Sequence, residues 1–370
     1  MKASGDRIFA SIVLTLVLAG IALFSSATLG LLAQANGAPW RLLLTQFIAG
    51  LIPGFALLVL FRFLPAKKLM ALVLPLYLVA LVLTALVFVD GIGLTLNGAA
   101  RWINLGFTTF QPAEILKIAV VLMLAAFLAK AGKGGRIKSV KEGLVPFVLI
   151  VGIPCALLIM QPNTSTVLVI GAVAATMYFL AGAPWRDFLI LGVLSVIALI
   201  TLVMMRPYLM DRVTTFVDPS SSPLTTGYHI QQSLIAIGSG GVTGRGFGQS
   251  VQKFNYLPEA QSDSVFAVFG EEFGFIGTVI LLILFAAFAM RGLMIASAAS
   301  SMFGLLVASG LTLLITFSAL LNIAALLGVA PLTGLPLPFI SHGGSALMAA
   351  LASVGIILNI AANRSKRKTL

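Results

Sequence analysis

Long apolar runs separated by short polar segments set the pattern of this chain. Ten runs are long enough to cross about 30 Å of hydrocarbon; they lie near 8–33, 42–61, 69–90, 113–130, 144–160, 165–182, 188–206, 265–290, 302–327 and 345–362. The first has too long an apolar core for a cleaved signal peptide and is followed by nine more, so it reads as an uncleaved first helix. The pattern predicts an all-α polytopic membrane protein with ten transmembrane helices in a single domain over 1–370. A large polar loop, about 207–264, joins the seventh and eighth helices.

Composition excludes the soluble classes. Of 370 residues 59% are hydrophobic and 9% charged, against about 45–50% and about 25% in soluble domains. The single cysteine, Cys155, lies in an apolar run and supports no disulfide framework. A net charge of +12 raises the possibility of nucleic-acid binding. The basic residues fall instead in short blocks between apolar runs, as cytoplasmic loops require, so no nucleic-acid partner is expected.

With the N-terminus in the cytoplasm, the inner segments carry Lys2, Arg7, Arg62, Lys67, Lys68, the basic cluster of 130–141, Arg186, Arg291 and the C-terminal RSKRK. Arg41, Arg101, Arg206, Arg212, Arg245 and Lys253 fall outside, and Lys117 lies within a span. An even number of helices puts both termini in the cytoplasm, which agrees with the basic tail. The acids gather at the outer side: Asp90, Glu114, Asp211, Asp218, Glu259 and Asp263. Any chemistry is therefore expected at the outer face.

Several residues there suit chemistry. Glu114 and Lys117 sit one turn apart at the outer end of the fourth helix and can pair. Such a pair either locks helices together or lines a polar groove. Gln111-Pro112, Gln161-Pro162, Leu257-Pro258-Glu259 and Ser341-His342-Gly343-Gly344-Ser345 mark four outward helix starts, where free N–H groups favour an anion. Asp263 ends the large loop just before the eighth helix; it is either a general base with a raised pKa or a helix N-cap. At least one of Glu271 and Glu272 is expected in an internal hydrogen bond or ion pair. The glycine-rich stretch 238–248 lacks the strand and Gly-Lys-Ser/Thr ending of a phosphate loop. Its glycines are expected to permit tight turns, with a main-chain anion nest as the second reading. His229 and His342 have no ligand spacing, so no metal site is expected.

At these residues the chain resembles the SEDS family of shape, elongation, division and sporulation proteins (FtsW, RodA, SpoVE). The matching stretches are NGAARWINLGFTTFQPAEILKIA at 97–119, the QP segment at 161, DPSSSPLTTGYHIQQSLIAIGSGG at 218–241, GFGQSVQKFNYLPEAQSD at 246–263 and TGLPLPFISHGGSAL at 333–347. QSLIAIGSGG, QKFNYLPE and TGLPLPFIS look closer to the division and sporulation branch. Three positions depart from the family pattern: Asn163 stands where the family commonly has Asp, Gln261-Ser262-Asp263-Ser264 where it often has His-Thr-Asp-Phe, and Ser341-His342-Gly343-Gly344 where it usually has Ser-Tyr-Gly-Gly.

The resemblance implies a peptidoglycan glycosyltransferase in the bacterial cytoplasmic membrane that polymerises lipid II at the outer face. It implies a class B penicillin-binding protein as transpeptidase partner. The family's essential aspartate falls on Asp263, its Glu/Lys pair on Glu114 and Lys117, and its Arg-Trp on Arg101 and Trp102. Asp263 is the expected catalytic residue, Glu114, Lys117, Arg101 and Trp102 with Gln111, Arg212 and Arg245 make up the expected substrate-binding set, and a divalent cation (Mg or Mn) could share the pyrophosphate charge. The competing readings are a lipid II flippase or other transporter, which a site at the outer mouth and the lack of paired broken helices disfavour, and a non-catalytic scaffold.

Overall fold

The computed structural model describes residues 6–30, 39–96, 99–104, 106, 108–218, 226–254 and 256–363. The helices are α1 (Arg7–Thr28), α2 (Pro39–Gln46), α3 (Ile52–Phe63), α4 (Ala66–Leu86), α5 (Pro112–Lys133), α6 (Val145–Met160) and α7 (Thr164–Leu180). They continue as α8 (Trp185–Met205), α9 (Pro207–Val217), α10 (Thr226–Ser239), α11 (Val265–Ser297), α12 (Met302–Leu326) and α13 (Gly344–Ala362). A π turn, Phe47–Leu51, joins α2 to α3 without a break. Among the described residues nine stretches are long and apolar enough to cross a membrane, with Trp40–Phe63 counting as one, and α7 is a shorter apolar helix of 17 residues. The two ends on which the cytoplasmic placement of the termini rests, 1–5 and 364–370, lie outside the described residues.

Two features that hydropathy did not predict lie between the spans. The segment after α4 forms a small antiparallel sheet of β1 (Gly93–Leu96), β2 (Ala99–Asn104) and β3 (Thr109–Phe110), with Leu94 opposite Trp102 and Ile103 opposite Phe110. The large loop after α8 is partly helical, since it contains α9 and α10.

The bundle is centred on α12 and α13, which are buried along most of their length and pack on each other, on α5 and on α11. Polar side chains tie the helix ends. Asp6 caps α1 by accepting from Phe9 N at 3.0 Å, and Arg291 of α11 bridges to it at 2.8 Å. Asn359 of α13 donates to the carbonyls of Phe61, Arg62 and Leu64, holding the C-terminal end of α3. The helix α8 lies at the edge, where its one buried residue, Asp187, accepts from the Tyr178 hydroxyl at 2.7 Å.

The long helix α11 is broken at Gly274, whose φ of 63° and ψ of −161° are non-helical. A continuous helix would join Phe275 N to Glu271 O and Ile276 N to Glu272 O. Here Phe275 N and Ile276 N donate to Gly241 O and Val242 O at 2.9 and 3.1 Å. The freed carbonyls of Glu271 and Glu272 accept from Arg245 N and Gly246 N at 3.0 and 2.9 Å. The loop 241–246 thus satisfies all four backbone groups that the break exposes. Glycine is required for the close approach, because a Cβ on Gly274 would meet Gly244 N at 2.3 Å. Within the glycine-rich stretch these bonds engage the amides of Arg245 and Gly246 and the carbonyls of Gly241 and Val242.

Candidate functional site

Four helix starts converge at one end of the bundle, where the sequence marked Gln111-Pro112, Gln161-Pro162, the segment before α11 and the segment before α13. Gln111 N donates to Ser345 Oγ at 3.0 Å, joining the start of α5 to that of α13. Ser165 Oγ at the start of α7 donates to Thr333 O at 2.6 Å. His342 N donates to Gln261 O at 2.9 Å and its ring stacks on Phe24, which fastens the α13 approach to the loop before α11.

Asp263 sits at this junction and does not cap α11. Ser264 holds the N-cap position, and its hydroxyl turns away from the helix to donate to Pro258 O at 2.7 Å, with His229 Nε2 at 2.6 Å. Ser262 Oγ lies 2.8 Å from Asp263 Oδ1. The other oxygen, Oδ2, faces Gly334, where a Cβ would approach to 3.4 Å. Burial pushes the Asp263 carboxyl above the usual carboxylate range, against its hydrogen bond from Ser262 and the nearby His229. Burial also holds His229 below the ordinary imidazole value.

Two arginines complete the polar surface. Arg101 of β2 donates from Nε to Gln161 O at 3.1 Å and from Nη2 to Pro162 O, which fixes the sheet on the α6–α7 turn. Arg212 of α9 is half-buried and rests on the Tyr208 ring with its guanidinium carbon 5.9 Å from the centroid. Burial lowers the pKa of both, Arg212 lowers that of Arg101 further, and both feel the opposing charge of Asp263. Trp102 follows Arg101 on β2 and is half-buried.

Beneath this surface a cavity of about 30 Å³, enough for one or two waters, is lined by Glu114, Lys117, Ser318, Leu335 and Ala346, among others. Lys117 Nζ and Glu114 Oε2 are 2.9 Å apart and buried, so the expected pair forms and lines a cavity at once. Asn322 of α12 links the two levels: its Nδ2 donates to Asp263 O at 2.8 Å and to Leu335 O at 2.6 Å.

Arg245 is not part of this group. It pairs with Glu271 at 3.2 Å in a separate network around the break in α11. There Lys253, fully buried, meets Glu272 at 2.8 Å, Ser26 Oγ at 3.0 Å and Gly248 O at 2.9 Å. Both glutamates are thus internally bonded. Sequence reasoning passed over Asn322, although a lone amide in an apolar run was a visible signal, and it weighed His229 solely as a metal ligand. Among the described residues no three His, Cys, Asp or Glu side chains gather as a metal-ligand set.

A family model described as "Cell cycle protein", covering FtsW, RodA and SpoVE, matches residues 6–366. The chain is 40% identical over 354 residues to a probable peptidoglycan glycosyltransferase FtsW of Thiomicrospira cyclica, covering 94% of this chain and 89% of that one. It is 39% identical over 292 residues to the peptidoglycan glycosyltransferase MrdB of Escherichia coli K12, covering 78% and 77%. Among solved structures it resembles a chain of a peptidoglycan synthase complex studied for the coordination of polymerization and crosslinking. That match has a TM-score of 0.79 and 32% identity, over 98% of this chain and 99% of that chain.

Proposed function

This chain belongs to the FtsW/RodA/SpoVE family of cell cycle proteins, and we propose that, as a peptidoglycan glycosyltransferase of the bacterial cytoplasmic membrane, it joins lipid II units with Asp263 as general base. The observation that carries the assignment is a carboxylate beside two guanidiniums at a junction of four helix starts. In the reaction Asp263 takes the proton of the acceptor sugar's 4-hydroxyl. The oxygen attacks the anomeric carbon of the donor, and the lipid pyrophosphate leaves with the bonding pair. A carboxyl whose pKa burial has raised is a stronger base than a free one once ionised. Oδ2 is the suitable oxygen, since Oδ1 is engaged by Ser262 and Gly334 leaves Oδ2 uncovered.

Arg101 and Arg212 meet the departing pyrophosphate. Arg212 suits this best, because Arg101 already donates to Gln161 O and Pro162 O, and arginine binds phosphate through a planar fork. Lys117 already spends its charge on Glu114, so the pair serves as a wall of the groove. A divalent cation, if used, takes its ligands largely from the pyrophosphate, and no step here depends on it. The substrate lipids reach the site from the membrane, and the partner is a class B penicillin-binding protein, as the related synthase complex supports.

The test is lipid II polymerisation by the purified protein with its class B partner, read as glycan length on a gel. The native chain is expected to give polymer and Asp263→Asn none, while Arg212→Ala raises KM more than it lowers kcat. Polymer from Asp263→Asn at the native rate removes the base from this residue.

A further inference from the structure

The hydroxyl of Ser262 touches two carboxylates. Its Oγ lies 2.8 Å from Asp263 Oδ1 and 2.7 Å from Glu259 Oε2. Both separations are hydrogen-bond lengths for oxygen pairs. Two such bonds need two protons, and a serine hydroxyl supplies one. For both contacts to be full two-centre bonds, rather than one hydrogen divided between two acceptors, the second comes from a carboxyl. We propose that Glu259 and Asp263 hold one proton in common across the Ser262 hydroxyl, making Glu259 the positioning residue that sets when Asp263 is free to act. The inference rests on the reading of Asp263 as the base.

The two states of the chain balance without any outside group. In one, the Glu259 carboxyl donates to Ser262 Oγ and the Ser262 O–H donates to an ionised Asp263, which is ready to accept the sugar proton on Oδ2. In the other, a protonated Asp263 donates to Ser262 Oγ and the Ser262 O–H donates to an ionised Glu259. Conversion moves two protons in the same direction along the chain and changes no total. Glu259 is exposed, so the shared proton leaves to water from its end. Its backbone is in the left-handed region at φ 49°, a conformation unusual for a residue with a side chain. That turn lets Glu259 O accept from both Ser262 N and Ser264 N, at 3.0 and 3.2 Å.

The charged groups facing Asp263 come from separate elements: His229 from α10, Arg101 from β2, Arg212 from α9 and Glu259 from its own loop. His342, before α13, faces Glu259. The groups that α12 and the segment after it bring to Asp263 are the neutral Asn322 and Gly334. Of the charged groups, Glu259 is the one joined to Asp263 through a shared hydroxyl.

The experiment is the pH dependence of lipid II polymerisation with the class B partner, each variant normalised to its own plateau so that losses in folding do not enter. Glu259→Gln removes a negative charge and keeps an N–H donor for Ser262. Its acidic limb is expected to move down by about one pH unit, a tenfold gain in relative rate on that limb. Ser262→Ala removes the donor to Asp263 and is expected to move the limb up, and Ser262→Thr, which keeps the hydroxyl, to return it. Limbs that stay in place, or that move the same way in Glu259→Gln and Ser262→Ala, overturn the shared proton. Polymer from Asp263→Asn would instead overturn the base itself, so the two failures are distinct.

Discussion

Asn322 holds Asp263 by its main chain: one amide nitrogen donates to Asp263 O and to Leu335 O, at 2.8 and 2.6 Å. The first bond fixes the residue proposed as base, and the second fixes a wall of the cavity below it. Replacing Asn322 by Leu leaves two carbonyls in the interior without donors, at about 1–3 kcal/mol each. Asn322→Leu is expected to lower the thermal unfolding temperature in detergent and to cut polymerisation at least tenfold. Full activity in a folded Asn322→Leu would show that Asp263 needs no such tether.

The raised carboxyl of Asp263 ties activity to stability in opposite senses. Its folded-state pKa lies above the unfolded value, so the folded state binds the proton more tightly. The stability it contributes is present at acid pH and is lost as pH rises through the folded pKa. Asp263→Asn removes that loss, and the variant is expected to unfold at a higher temperature than the native chain at pH about 8 and at a similar one at pH about 4. Thermal scans at both values check this, and a variant less stable at both would contradict it.

For the Glu114–Lys117 pair, structure and function separate in a double substitution. Lys117→Met alone strands a buried carboxylate and is expected to cost about 3–5 kcal/mol. Adding Glu114→Gln removes the stranded charge and should recover most of the unfolding temperature. If the pair also shapes the substrate groove, polymerisation stays low in the stable double variant. Recovered activity would make the pair a purely structural lock.

Around the break in α11 two basic residues should differ in weight. The Lys253 side chain is 0% exposed and that of Arg245 is 41% exposed. Lys253→Met leaves Glu272 buried without its cation and is expected to destabilise by about 3–5 kcal/mol, whereas Arg245→Ala loses a bridge that solvent screens, worth about 1 kcal/mol or less. Comparing the two unfolding temperatures decides the ranking.

What was legible in the sequence follows from what hydropathy and helix-end signals encode. The spans appeared as runs, since a bilayer demands length and apolarity of each helix separately. Gln111-Pro112 marks a true helix start, since Pro112 is the first residue of α5, whereas Pro162 lies just ahead of the N-cap of α7, Asn163, and so outside the first turn. The small sheet at 93–110 and the helices α9 and α10 lay in segments too short or too polar to stand out from loops. Asp263 stood out in the sequence, but its surroundings did not: Asn322, 59 residues on, and His229 approach it from distant segments, and no periodicity records such pairings. The pairing of Arg245 with Glu271 was not legible either, because the two become neighbours through the break at Gly274.

That break has a mechanical meaning. Since 241–246 supplies the backbone partners that α11 gives up at Gly274, the opening turns of α11 are laced to that loop as well as to the rest of their own helix. Lys253 and its contact with Ser26 of α1 draw the lacing tighter. Asp263, just ahead of those turns, therefore stands on a segment that is anchored by the loop 241–246 as well as by its own helix.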